Sequence, residues 1–340
     1  MVMTSREKVK DLWKRCFNAS DEYAEMYFRH RYQDELNVTI ELNDKTVSTL
    51  QMIPYPMTFW GMTIPIAYVS GACTHPDYRE QGLMGALLTE VHQRMYREGI
   101  FFSMVMPVNS RLYAYYAKRG YAATFYCSRL RVKTSSLFVS QLYTVMDEAR
   151  NTQLYKEHFR YFSRKMQECS CYVQHTWGDF KTILEDLCLS GGKLMVARRL
   201  GLIHGMAFCV VKDGLVTVKE ILSDNVVVND SLLRGAASSF DADELECLLP
   251  PLEKTEESGM IRIIHAEEVL SMFARKYPTM EMLFRLVDED VPNNNACFYV
   301  ADGVCKCEDF EDQEIPTYTI KDLARLLFKR ESPYMSLMLD

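Results

Sequence analysis

His75-Pro-Asp-Tyr-Arg-Glu-Gln-Gly-Leu-Met-Gly-Ala-Leu-Leu88 stands between an uncharged extended run, Ile64 to Thr74, and an amphipathic pattern, Leu83 to Arg97. The junction from Arg79 to Gly82 therefore lies between the end of a buried strand and the start of a helix. The first amides of a helix have no intrahelical acceptor and carry partial positive charge, so such a junction suits a phosphate. Gly82 removes the Cβ that would block close approach, and Arg79 adds a permanent cation. The backbone from Arg79 through Glu80, Gln81, Gly82, Leu83, Met84 and Gly85 is the expected cradle. The charge-free stretch from Thr46 to Pro76 is broken by Gln51, Pro54, Pro56 and Pro65, so it reads as buried strands and not as a membrane span.

About 30 residues on, after the strand-like run Ile100 to Met106, comes Asn109-Ser-Arg-Leu-Tyr-Ala-Tyr-Tyr116-Ala-Lys-Arg-Gly120-Tyr121. The two patterns in this order resemble the GNAT superfamily of acetyltransferases: Arg-x-x-Gly opening a helix, then Asn, a helix ending in Tyr, and Gly-Tyr leading into a strand. Met84 departs from the small residue usual at its position. A bulky aliphatic residue there is similar to the enhanced intracellular survival (Eis) type. Two later stretches resemble the C-terminal domain of that type, Met260 to Leu270 and Leu286-Val-Asp-Glu-Asp-Val-Pro-Asn-Asn-Asn-Ala-Cys-Phe-Tyr299.

The resemblance implies an α/β (α+β) chain in three parts: a mixed-sheet acetyltransferase domain over 1–133, a degenerate acetyltransferase-like domain over 134–257, and a sterol-carrier-like domain over 258–340. Residues 224–230 follow a strand as the cofactor loop does, yet they lack Arg-x-x-Gly, and Asp224 and Asp230 would repel a pyrophosphate.

The activity implied is transfer of acetyl from acetyl-CoA to a primary amine by direct attack in a ternary complex. Ala72, Cys73 and Thr74 would pair with the pantetheine arm, and Asn109 belongs to the same cofactor motif. Tyr116 would protonate the departing thiolate; a phenol of pKa near 10 suits that role. The α-carboxylate of Asp340, at the end of the apolar tail from Ser332, is the expected base. Asp21, Tyr23, Tyr27 and Trp60 are candidates for the acceptor pocket. A non-catalytic acyl-CoA or lipid-binding protein is the alternative. A peptidyl transferase using aminoacyl-tRNA finds no support, since no basic groove is evident.

Composition narrows the field. A net charge of −7 and a pI near 5.6, without a Lys/Arg stripe, argue against nucleic acid. The eleven cysteines show no metal-ligand spacing, and the seven histidines no i, i+4 pair, so no metal is expected. Residues 1–17 lack an apolar signal-like run, and reduced thiols suit a cytoplasmic protein. A homo-oligomer is compatible with the sequence.

Capping and periodicity predict helices at 5–17 and 21–32, a hairpin of 37–42 with 46–53, further strand over 59–74, and strands at 100–106 and 121–133 around a helix at 109–119. Helices follow at 140–165 and 177–189, then strands at 193–199, 204–211 and 215–222. The last part reads as helix 266–275, strands 280–288, 296–301 and 304–308, and helix 319–328.

Overall fold

A computed structural model describes residues 4–307 and 315–339. The N-terminal helix α1 (Ser5–Phe17) starts at Thr4, where a capping box with Glu7 satisfies its first amides. α2 (Asp21–His30) follows. Strands β1 (Asn37–Leu42) and β2 (Lys45–Phe59) are joined by Asn43 and Asp44 at positive φ, the backbone a tight hairpin needs. Then come β3 (Met62–Thr74), α3 (Leu83–Arg97), β4 (Phe102–Val105), α4 (Ser110–Ala117) and β5 (Ala122–Lys133).

The middle of the chain forms β6 (Thr144–Asp147), α5 (Tyr155–Gln167), α6 (Trp177–Leu189), β7 (Lys193–Arg199), β8 (Leu202–Lys212), β9 (Leu215–Ser223), α7 (Val226–Phe240) and β10 (Glu244–Leu249). The last part adds β11 (Glu256–Ile263), α8 (Ala266–Lys276), β12 (Met282–Val287), β13 (Ala296–Ala301), β14 (Val304–Cys307), β15 (Thr317–Thr319) and α9 (Ile320–Phe328).

Two compact units result. The first comprises Met1–Phe125 and Ser258–Pro333, the second Tyr126–Glu257 and Tyr334–Asp340. In the first, β2 is antiparallel to β1 and β3, β3 is parallel to β4, and β4 is antiparallel to Met260–Ile263 of β11. Leu87, Leu88, Val91 and Met95 of α3 bury one face against this sheet, joined by Tyr116, Tyr121, Met260 and Ile264. Segment 258–264 thus completes the core that the first 125 residues begin. A small sheet in the order β14-β13-β12-β15 belongs to the same unit.

The second unit is a sheet in the order β5-β10-β9-β8-β7-β6, with α7 packed on it through Val228, Leu232 and Ala236. Met338 of the tail lies in that unit's other cluster, with Phe162, Phe180 and Phe208.

The mixed α/β class follows the sequence expectation. The helix expected over 140–165 needs correction: it begins at Tyr155, and Thr144–Asp147 is instead a strand paired with Met195–Arg198. A four-residue edge strand with exposed Met146 is too short to show its alternation, so its apolar residues mimic a helical period.

Candidate active site in the first unit

The ladder from β3 to β4 ends at Tyr68↔Met104, while β3 continues to Thr74, paired with β2 alone. A bulge lies in this free stretch: Leu50 of β2 faces both Gly71 and Ala72. Gly71 takes φ +60, and an added Cβ would press on the Trp13 indole nitrogen at 3.2 Å, so the bulge and α1 fit only around glycine. The bulge turns Ser70 toward α2, where its hydroxyl meets the Tyr27 hydroxyl at 2.7 Å. Beyond it, the His75 amide donates to the Val47 carbonyl of β2. Backbone groups alternate sides along a strand, so the amide and carbonyl of Thr74 face the open edge.

The strand then enters the loop. Arg79 Nε donates to the Thr74 carbonyl at 3.2 Å, anchoring an otherwise exposed side chain. Gly82 is the residue before α3, at φ +80, and no side chain caps the helix. Space is open where its Cβ would stand. The first amides of α3 therefore face outward without a protein acceptor, beside Arg79. This cradle fits a phosphate group.

Sequence reasoning missed a further cation here. The Arg119 guanidinium lies over Gly85 in the first turn of α3, where any side chain at 85 would displace it, and its charge pulls the Tyr115 phenol down against the burial that raises it. The adjacent Lys118-Arg119-Gly120 gave only the Gly-Tyr signal in sequence.

Tyr116 ends α4 inside the core, its ring edge-on to Tyr115 at 5.4 Å and to Tyr121 at 5.5 Å. Burial, then Tyr115, pushes its phenol above the ordinary value. Among the described residues no protein group hydrogen-bonds its hydroxyl, which leaves it available to a ligand. Tyr121 is the opposite case. Its hydroxyl lies 2.6 Å from Ser103 Oγ and 3.0 Å from His92 Nε2, and His92 Nδ1 lies 2.8 Å from Asp290 Oδ2.

Burial first, then Arg262, pushes His92 down to about 4. Asp290 is held down at about 2, because hydrogen bonds from His92 and Thr89 outweigh the upward push of burial. Neutral His92 thus donates from Nδ1 to Asp290 and accepts the Tyr121 proton at Nε2, an assignment fixed by the network. This buried chain holds the ring against which Tyr116 packs.

The other expected site residues are distributed as follows. Ala72, Cys73 and Thr74 occupy the free stretch of β3, with Cys73 buried. Asn109 caps α4, accepting from the Leu112 amide at 3.0 Å. Asp21 is an exposed first-turn residue of α2, 2.5 Å from Lys14 Nζ. Tyr23 and Tyr27 stack on Trp13 at 6.2 and 5.2 Å. Trp60 sits in the β2–β3 turn and donates from its indole to Glu331 at 2.7 Å. It is at the opposite end of β3 from Thr74, about 40 Å along an extended chain, so the structure does not bring it together with the loop. Asp340 lies outside the described residues.

Residues 3–124 match the acetyltransferase (GNAT) domain family. The matched segment runs from α1 to the start of β5, within the first unit. The GNAT-type fold recurs in solved structures at low identity. A GCN5-related N-acetyltransferase from Anabaena variabilis superposes with a TM-score of 0.75 at 15% identity, covering 98% of each chain. A probable N-acyltransferase from Enterococcus faecalis V583 gives 0.75 at 15%, over 96% of this chain and 88% of that one. Eis1 from Mycobacterium abscessus gives 0.73 at 12%, over 96% and 88%. No curated protein matches in sequence. The match to this family makes acyl transfer the class of chemistry supported. Among the described residues no helix is long and apolar enough to cross a membrane, and no His/Cys/Asp/Glu cluster is arranged to hold a metal.

Proposed function

We propose that the first unit is an acetyl-CoA-dependent N-acetyltransferase acting on a primary amine by direct attack in a ternary complex. One observation carries this reading: the free edge of β3 runs into the uncapped N-terminus of α3. Such an edge offers amides to a pantetheine arm, and such a terminus offers amides and Arg79 to a pyrophosphate. The bound donor supplies the thioester. Gly82 to Gly85, Arg79 and Arg119 hold its phosphates, Ala72 to Thr74 line its arm, and the Tyr116 hydroxyl gives a proton to the departing thiolate.

Asp340 as base, with the tandem domain plan and its sterol-carrier-like C-terminal part, belongs to the same Eis-type reading. The resemblance of the sequence supports that plan, and so does the fold shared with Eis1. Small polyamines, aminoglycoside-like amines and a lysine side chain are the acceptor classes. The test is thiol release from acetyl-CoA across such a panel. Release that rises with one amine supports the proposal. Binding of CoA without turnover for any amine favours the non-catalytic acyl-CoA-binding alternative.

A further inference from the structure

Cys16 is the penultimate residue of α1, two before Asn18, whose φ of 47° ends the helix. Its Sγ lies 3.6 Å from the Thr74 carbonyl oxygen, the oxygen that also accepts from Arg79 Nε at 3.2 Å. The Cys16 thiol faces that of Cys73 closely enough for the two to influence each other's ionisation, and Cys73 is buried in β3. The Cys16 thiol and the cation of the phosphate loop therefore meet at the backbone carbonyl that follows Cys73, on the open edge of the strand.

We propose that Cys16 is a modification site for low-molecular-weight disulfides, that Cys73 is its resolving thiol, and that modification and donor binding exclude each other. The exclusion rests on the reading of this edge as the acyl-CoA site.

The chemistry is thiol–disulfide exchange. The Cys16 thiolate attacks one sulfur of a disulfide R–S–S–R. A Cys16–S–S–R bond forms as the old bond breaks, and the leaving RS⁻ takes a proton from water. Cys73 then loses its proton and attacks Cys16 Sγ, expelling the second RS⁻, which takes that proton. Two protein thiols are oxidised to one disulfide, and one R–S–S–R is reduced to two R–SH.

The surroundings assign the two roles. The neighbouring Cys73 thiol, and behind it Arg79, hold the Cys16 thiol down at about 7 against the burial that raises it. A thiol that ionises near ambient pH is the best attacking group in exchange. Cys73 is pushed far up by the neighbouring Cys16 thiol and by burial, so it does not start the reaction. Burial also raises Cys188, Cys209, Cys247 and Cys305, leaving them poor competitors. Half-buried Cys16 is reachable from the edge. An adduct there occupies the space beside Thr74 and Arg79 that the donor needs. The closed disulfide draws Sγ away from the carbonyl that Arg79 shares.

The full-length reduced protein is incubated with glutathione disulfide, then followed by peptide mass and by equilibrium binding of CoA. The expected wild-type product is a Cys16–Cys73 cross-linked peptide. Cys73→Ser should stop at one glutathione on Cys16, and Cys16→Ser should give neither product. Saturating CoA should slow the wild-type reaction at least tenfold, because only the small CoA-free fraction can react. The oxidised protein should bind CoA at least tenfold more weakly, and dithiothreitol should restore binding. Glutathione spread over other cysteines before Cys16 overturns the dithiol assignment. An oxidised protein binding CoA as well as the reduced one overturns the exclusion. A reduced protein that binds no CoA overturns the donor reading and the exclusion with it, while the peptide masses still decide the dithiol.

Discussion

Tyr116 and Tyr121 are neighbouring buried phenols whose hydroxyls have different surroundings. That of Tyr121 is bonded to Ser103 and His92, so it is committed to the fold. That of Tyr116 has no protein partner among the described residues. A hydroxyl with no protein partner is free to donate to a bound thioester or thiolate sulfur. Tyr116→Phe should therefore leave the fold and the CoA Kd unchanged and lower kcat roughly 10²- to 10⁴-fold. Single-turnover acetyl transfer beside CoA titration measures both. Unchanged kcat, with chemistry rate-limiting, would make Tyr116 a packing residue. The two guanidiniums predict the reverse pattern. Arg79→Met and Arg119→Met each remove a charge-assisted contact worth about 1.5–3 kcal/mol, so each should weaken CoA binding roughly 10- to 100-fold. A truncated acetyl-pantetheine donor, which has no pyrophosphate, should not distinguish either variant from wild type.

At the scale of elements, the strand–loop–helix unit was legible because each of its parts obeys a local rule. A charge-free run marks β3, Arg79 and Gly82 mark the loop, and the period of Leu87, Leu88, Val91 and Met95 marks the buried face of α3. The partners that reach this unit from elsewhere were not legible. The bulge at Gly71 depends on Trp13, and Asp290 meets His92 across 198 positions; no local pattern encodes either pairing. A lone glycine inside a strand pattern was the available hint for the bulge.

The buried chain from Asp290 to Tyr121 also sets a pH dependence. An unfolded His92 takes a proton near 6.5, whereas the folded one resists until about 4. Between these values the unfolded state binds more protons, so stability is full above about 6.5 and is lost as the pH falls toward 4. Asp290, held at about 2, adds a loss of the same sign below its unfolded value. The first unit should thus lose on the order of 2 kcal/mol between pH 7 and pH 5 through His92. His92→Gln should flatten that stretch of the curve. Urea melts at the two pH values, followed by exchange protection of α3, measure it; equal slopes in both proteins would remove His92 as the cause.

At the scale of the whole chain, each unit has a strand leading into a long helix, β3 into α3 and β9 into α7, and the two junctions end differently. In the first, Gly82 leaves the helix amides open beside Arg79. In the second, the Asn225 side chain accepts from the Val228 amide at 3.1 Å and so occupies the place of a phosphate oxygen. Asp224 stands beside it as an anion, accepting from Tyr161 at 3.1 Å and meeting His204 Nδ1 at 3.0 Å. Capping and charge both oppose a pyrophosphate there. Calorimetry should accordingly find one CoA site per chain, abolished by Arg79→Met combined with Arg119→Met. A second site of equal affinity, surviving those changes, would show that the β9–α7 junction opens to ligand.

The tail belongs to this scale too. Met335, Leu337 and Met338 are buried, and Lys219 Nζ donates to the Met338 carbonyl at 3.3 Å. Deleting 336–340 would therefore cost the second unit several kcal/mol of core burial and confuse a folding defect with a chemical one. Extension is the cleaner experiment. Asp340→Leu keeps the terminal α-carboxylate and should retain turnover. Two glycines added after Asp340 move that carboxylate while leaving the buried residues in place, and should abolish turnover with the CoA Kd and melting temperature unchanged. Full activity in the extended chain would exclude the α-carboxylate of Asp340 as the base.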